Sequence, residues 1–232
     1  TLIADELGAT PAAAFDISAA CAGFCYGVAL ASDMVRGGTA TYVLVIGVER
    51  LTDLTDFEDR STAFLFADGA GATVVGPAEQ PGISPVIWGS DGSKFDLIRQ
   101  EEGWDEVFET DKPEWPHLRM EGNPVFRWAS YEMAKVCRQA LAAAELDAAD
   151  LDAFIPHQAN MRITDAMART LKLPDNVAIA RDIADQGNTS AASIPLAMER
   201  MLDEGTINPG DKALLVAFGA GLAYAAQVVT VP

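Results

Sequence analysis

Histidine is scarce: the 232-residue chain holds two, beside three cysteines, so metal chemistry has few ligands to draw on. Cys21 and Cys25 are separated by three residues rather than two, and neither histidine lies near them, so the zinc spacings are not met. An odd number of cysteines offers no disulfide framework and fits a reducing compartment in which one thiol is kept reactive. Basic residues are also few. Sixteen Lys and Arg face 34 Asp and Glu, and the net charge of −18 argues against nonspecific nucleic-acid binding. No apolar run approaches a bilayer span, and no basic segment followed by an apolar core opens the chain, so the reading is a soluble, cytoplasmic protein with no membrane partner.

What is present is apolar and periodic. At 50% hydrophobic residues the chain can bury a substantial core, as one α/β unit or two packed halves. Residues 1–7 have helical spacing, stopped by Gly8. Residues 14–18 read as a short strand, and a helix opens at Cys21 and runs to Gly37-Gly38. The run 42–48 is continuously apolar and β-branched, which predicts a strand covered on both faces, and 72–75 predicts another. The stretch 77–124, rich in Pro, Gly, Trp and charge, predicts covering loops and short strands. Beyond it the pattern gives a long helix over 125–146, a strand over 152–156, a helix over 161–171 and a strand over 177–180. A helix over 189–202, a buried strand over 213–218 and a closing strand over 225–231 follow. This alternation implies βαβ units, a largely parallel core sheet and a coarse internal duplication.

Three loops follow strands and carry reactive or amide side chains: Ser18-Ala-Ala-Cys21, Pro156-His157-Gln-Ala-Asn160 and Gly187-Asn188-Thr-Ser. Strand ends are where α/β folds gather ligands. A cysteine at the first turn of a helix feels the positive end of the dipole, which favours the thiolate; a lone cysteine is otherwise a small buried hydrophobe. His157 could move a proton or donate a hydrogen bond, or be a satisfied structural residue. Asn188 could cap a helix or donate to developing negative charge. Phe218-Gly-Ala-Gly221 lacks the spacing of a dinucleotide loop and precedes a strand, so its better use is a turn whose backbone N–H approaches a substrate oxygen.

Five ordered motifs, Asp16-Ile-Ser-Ala-Ala-Cys21-Ala-Gly-Phe24, Phe66-Ala-Asp-Gly-Ala-Gly71, Pro156-His157-Gln-Ala-Asn160, Gly187-Asn188-Thr-Ser-Ala-Ala-Ser193 and Phe218-Gly-Ala-Gly221, together resemble the β-ketoacyl-(acyl-carrier-protein) synthase III family. The resemblance implies an α/β, thiolase-like fold of two similar βαβ-containing halves in α/β/α/β/α layers. Residues 1–80 would be the remainder of the half carrying the nucleophile, and 81–232 the covering loops and the half carrying His and Asn. It implies a condensing enzyme of fatty acid synthesis that takes a short acyl group from acyl-CoA onto Cys21. Decarboxylative condensation with malonyl-acyl carrier protein follows, with His157 and Asn188 as the decarboxylation pair and no cofactor.

The family pattern further implies an oxyanion site at the N–H groups of Cys21 and Ala220, with Phe218 shaping the pocket. Carrier docking falls on Gln158, Ala159, Asn160, Met161 and Arg162, supported by Arg169 and Lys172 at helical spacing, and CoA contact on Arg60 and Asn160. A homodimer is implied. The family also begins with a strand-helix-strand unit ahead of the helix that opens this chain, so the expectation is a fragment of poor stability or activity alone. A polyketide starter-unit synthase or acyltransferase of the same fold, and a catalytically silent dimer partner, stand as alternatives.

Overall fold

The computed structural model describes residues 1–109, 111 and 115–232. In chain order the elements are α1 (Leu2–Glu6), α2 (Gly23–Arg36), β1 (Val43–Arg50), β2 (Asp68–Val75), β3 (Ile87–Ser90), β4 (Ile98–Gln100), α3 (Trp104–Phe108), β5 (Leu118–Met120), α4 (Gly122–Trp128), α5 (Ala134–Ala143), β6 (Ala153–Pro156), α6 (Met161–Leu171), β7 (Ala178–Ile179), α7 (Ile183–Gln186), α8 (Ser193–Asp203), β8 (Lys212–Phe218) and β9 (Ala223–Thr230). Among its described residues the expected loop region 77–124 contains short strands, the 3₁₀ segment Gly92–Leu97, the short helix α3 and the start of α4, with residues 110 and 112–114 outside the described residues.

The central sheet has the order β3-β9-β8-β6-β7. Its inner strands β6 and β8 are buried on both faces, and successive side chains separate two cores. Phe154, Leu214 and Val216 point to one core with Met133, Cys137 and Met167; Ile155, Leu215 and Ala217 point to the other with Phe24, Val28 and Ile194. Period-two alternation therefore places α5 and α6 over one face and α2 and α8 over the other. The hairpin β1–β2 lies beyond α2 and α8 as a separate antiparallel pair, running from Val43 opposite Val75 to Arg50 opposite Asp68.

Four sequence expectations are corrected. The core sheet is mixed: β6 pairs in parallel with β7 and β8, whereas β8–β9 and β3–β9 are antiparallel. The link from Phe218 to Ala223 is too short for a parallel crossover. Residues 14–18 form no ladder with any described strand. The 42–48 run is covered on one face only, since Leu44, Ile46 and Val48 are 44%, 39% and 57% exposed while Val45 and Gly47 between them are buried. The expected helix 125–146 starts at Gly122 and carries a π segment, Ala129–Met133, between α4 and α5. Such a widened turn leaves the helical pattern of apolar residues nearly intact, so periodicity does not reveal it.

The anticipated duplication has a local signature. A 3₁₀ turn, Ala20–Ala22, leads into α2, and a matching turn, Ser190–Ala192, leads into α8. Each starts on a residue with left-handed φ, Ala20 at 46° and Ser190 at 50°. Each helix is followed by an antiparallel strand pair, β1–β2 or β8–β9. The second turn presses against β1 at Gly47, where an added Cβ would fall 2.3 Å from the Ala191 carbonyl oxygen. Because backbone cannot yield as a side-chain tip can, Gly47→Ala is expected to cost about 2–3 kcal/mol, read from urea unfolding midpoints.

Candidate active site

The two 3₁₀ turns and the ends of β6 and β8 converge. Cys21 is partly exposed on the first turn, and its Sγ lies 3.2 Å from Ser190 Oγ on the second. Asn188 precedes that turn and is clamped by its backbone: its N–H donates to Leu65 C=O at 2.8 Å, and its C=O accepts from Ala67 N–H at 2.9 Å. Its Oδ1 accepts the Ser190 N–H at 2.9 Å, which leaves the carboxamide NH₂ as the free donor.

His157 follows β6, and its N–H donates to Val216 C=O at 2.7 Å. The imidazole is 2% exposed and lies edge-on to Phe218, with ring centroids 5.8 Å apart; Phe218 in turn packs edge-on against Trp128 at 5.8 Å. His157 Nδ1 is 2.7 Å from Ser193 Oγ, which also accepts the Gln158 N–H at 3.2 Å. Assigned from this network, the Ser193 hydroxyl donates to Nδ1, and Nε2 carries the ring proton.

Burial lowers the His157 pKa to about 3, against a smaller opposing hydrogen bond to the Ser190 backbone. The ring is therefore a neutral donor at neutral pH rather than a cation. The unfolded chain takes up the proton near pH 6.5 and the folded chain does not, so the contribution is complete above 6.5 and shrinks as pH falls toward 3. The wild type should lose about 1.4 kcal/mol per pH unit relative to His157→Gln between those limits. Paired urea titrations at pH 7 and pH 5 would show this difference, and parallel curves would exclude it.

Cys21 differs from the dipole expectation. Burial pushes its thiol up to about 11, opposed by the adjacent Ser190 hydroxyl and its own backbone N–H and helped by the Glu49 charge. A free thiolate is not the resting form, so deprotonation needs a partner. Gly219, at the end of β8, lies against the nucleophile: a Cβ there would fall 2.5 Å from Cys21 N. Only glycine allows that approach. Among the described residues, neither the Cys21 nor the Ala220 N–H donates to a carbonyl in a turn or loop, so both can serve as the expected oxyanion pair.

The remaining expected residues divide. Gln158 is 1% exposed, with Nε2 donating to Pro156 C=O at 2.7 Å and Oε1 accepting the Ile183 N–H at 3.1 Å. It holds the His157 loop to the start of α7, and Ala159 is 8% exposed, so neither side chain belongs to a docking surface. Asn160 caps α6 through Oδ1, which accepts the Arg162 N–H at 2.9 Å, and Met161 Sδ lies 2.9 Å from Arg181 Nη1. Arg162 is exposed and stacks over Phe126 with its guanidinium carbon 5.4 Å from the ring centroid; Arg169 and Lys172 are exposed on the same helix and its C-cap. Arg60 is exposed on the loop between β1 and β2, away from these residues in sequence. Ser190, Ser193 and Glu49 were not singled out in sequence, although both serines stand in the motif that carries Asn188.

Two family models match the chain. That of 3-oxoacyl-[acyl-carrier-protein] synthase III covers residues 15–92, and that of its C-terminal part covers 141–231. Beta-ketoacyl-[acyl-carrier-protein] synthase III of Streptomyces glaucescens is 62% identical over 232 residues, spanning 100% of this chain and 70% of the relative. Among solved structures, the priming beta-ketosynthase of the R1128 polyketide pathway superposes with a TM-score of 0.97 at 47% identity, over 100% of this chain and 69% of that one. 3-Oxoacyl-(acyl carrier protein) synthase III of Pseudomonas aeruginosa PAO1 gives 0.92 at 38% identity, over 100% and 71%. With its cysteine, histidine and asparagine gathered on the loops of a thiolase-like α/β fold, the chain belongs to the 3-oxoacyl-[acyl-carrier-protein] synthase III family of condensing enzymes.

Proposed function

We propose that the site carries out a two-stage condensation. In the first stage Cys21 attacks the thioester carbonyl of a short acyl-CoA, and the oxyanion is held by the N–H groups of Cys21 and Ala220. CoA leaves and the acyl group stays on sulfur. In the second stage malonyl-acyl carrier protein loses carbon dioxide, and the resulting enolate oxygen is met by His157 Nε2–H and the Asn188 carboxamide. The enolate carbon attacks the Cys21 thioester, and 3-oxoacyl-carrier protein departs with the thiol restored. One observation carries this reading: the segment 188–193 touches all three groups, with Ser190 Oγ 3.2 Å from Cys21 Sγ, Ser190 N–H 2.9 Å from Asn188 Oδ1 and Ser193 Oγ 2.7 Å from His157 Nδ1.

The reading invokes acyl-CoA and malonyl-acyl carrier protein as substrates and no cofactor. It places carrier docking on Asn160, Met161 and Arg162, with Arg60 beside the CoA nucleotide. Arg162 suits an acidic carrier because it presents a local cation on a protein of net charge −18. A cytoplasmic homodimer of two-half subunits, 1–80 and 81–232, completes the proposal, and the open apolar face of β1 supports a covered surface there.

Intact-protein mass after incubation with a panel of acyl-CoAs tests the first stage. One acyl increment, mapped to the Cys21 peptide, is the expected result; no increment from any donor would end the reading. The likeness to the R1128 priming enzyme favours a second reading, starter-unit synthesis for polyketides, in which the same cysteine is loaded but the extended chain is passed to a different carrier protein.

A further inference from the structure

Ser190 Oγ has two polar neighbours. Cys21 Sγ is 3.2 Å away and Glu49 Oε1 is 3.0 Å away. A hydroxyl has one proton and cannot donate to both. An ionised carboxylate is the stronger acceptor, so the Ser190 proton goes to Glu49, and the lone pairs of Oγ then face the Cys21 thiol. We propose that Cys21, Ser190 and Glu49 form a proton relay that activates the nucleophile, with Ser190 as a catalytic residue on the sulfur and Glu49 as the positioning residue behind it.

The atoms balance without a further reactant. The Cys21 proton passes to Ser190 Oγ as the Ser190 proton passes to Glu49 Oε1, and the thiolate attacks the thioester carbon. When the tetrahedral oxyanion collapses, the bond to the CoA sulfur breaks, and that sulfur takes the proton back from Glu49 through Ser190. His157 is left out of this exchange, since its Nδ1 is engaged by Ser193.

Three features support the assignment. Ser190 is 3% exposed and held at φ 50°, a conformation that non-glycine residues rarely adopt, with its N–H fixed on Asn188 Oδ1. Glu49 is half-buried on the hairpin face that meets the 190–192 turn, and burial raises its pKa above the ordinary carboxylate range, which makes it the better base. The thiol it serves is itself held protonated by burial, so a base is required at neutral pH. The other titratable groups around the relay are otherwise engaged. His157 Nδ1 is engaged by Ser193 Oγ at 2.7 Å, Arg50 pairs with Asp53 at 3.2 Å, and Asp68 accepts from Thr52 N–H at 2.9 Å and Thr52 Oγ1 at 2.7 Å.

The relay rests on the proposed role of Cys21, so its test uses a probe besides the substrate. Iodoacetamide labelling of the Cys21 peptide, followed by mass spectrometry from pH 6 to pH 9, reads thiol activation alone. In the wild type the rate should be nearly flat once Glu49 is ionised. In Glu49→Gln, which keeps an oxygen acceptor for Ser190, the rate at pH 7 should fall about 100-fold and climb about tenfold per pH unit. Ser190→Ala should behave alike, and the double variant no worse, as members of one unit do.

A purely electrostatic Glu49 predicts the opposite sign. Removing its negative charge would lower the Cys21 pKa and speed labelling, so acceleration, or profiles that coincide with the wild type, would overturn the relay. Acetyl-CoA acylation measured in parallel separates the two ideas. A flat wild-type profile lost in Glu49→Gln, without acyl transfer from any CoA donor, would leave the relay standing and remove the acyl-CoA reading.

Discussion

Cys21→Ala is expected to carry no acyl adduct and to lose condensation by about 1,000-fold or more, while still releasing carbon dioxide from malonyl-acyl carrier protein. The first half of that expectation follows from the other thiols. Cys25 and Cys137 are both 0% exposed in core clusters, and burial holds the Cys25 thiol at about 12, so neither can substitute as nucleophile. The second half follows from the hydrogen bonds that set the other two side chains. His157 is fixed by Ser193 and packed on Phe218, and Asn188 is fixed by Leu65, Ala67 and Ser190 N–H; none of these contacts passes through sulfur. Alanine also suits the position, because the matching place in the second turn is Ala191. Intact mass and carbon dioxide release on the same sample would check both halves. A variant that keeps its acyl adduct, or that loses both activities together, would contradict the division of labour.

The parts of the fold that sequence predicts well are those where one physical pattern has one meaning. Helix α6 was expected at 161–171 and runs Met161–Leu171, because its apolar stripe and its Asn160 cap both mark the same boundary. Strand β8 was legible for a similar reason: a short unbroken apolar run, 213–218, between Lys212 and Gly219, buried on both faces. The strand β1 opens on a run as continuously apolar as that of β8 but has only one covered face, and an apolar run does not distinguish the two cases. Residues 14–18 show the limit from the other side, since a strand exists only with a ladder partner, which is a non-local fact.

The site divides along the same line. Cys21, His157 and Asn188 stood out as candidates because each is a reactive or amide group at a strand or helix boundary, and the family motifs around them, rather than position alone, favoured the functional reading. Ser190 was not, because its importance lies in a left-handed φ and in a contact with a residue 169 positions away. Glu49 reads in sequence as an ordinary charge at the end of a strand, and only its 3.0 Å approach to Ser190 gives it a second meaning. Gln158 erred in the opposite direction. The family pattern placed it on a docking surface, yet its amide is spent on Pro156 and Ile183 inside the protein.

Asn188→Asp should separate the second stage from the first. Its Oδ1 accepts the Ser190 N–H, and an aspartate oxygen can keep that bond, so the turn at Ser190 and the approach to Cys21 are retained. What is lost is the NH₂ donor, and above the pKa of the new carboxylate a negative charge stands where the enolate oxygen develops. Removing one such donor costs about 100- to 1,000-fold, and at pH 8 the charge adds to it, so decarboxylation and condensation should fall at least that far. Acylation of Cys21 should stay within about threefold of wild type, because its oxyanion donors are the backbone amides of Cys21 and Ala220 and not the carboxamide. The diagnostic quantity is the ratio of the two rates, measured by carbon dioxide release and by mass gain. Equal losses in both would mean that Asn188 acts by shaping the Ser190 turn, and the enolate would then depend on His157 alone.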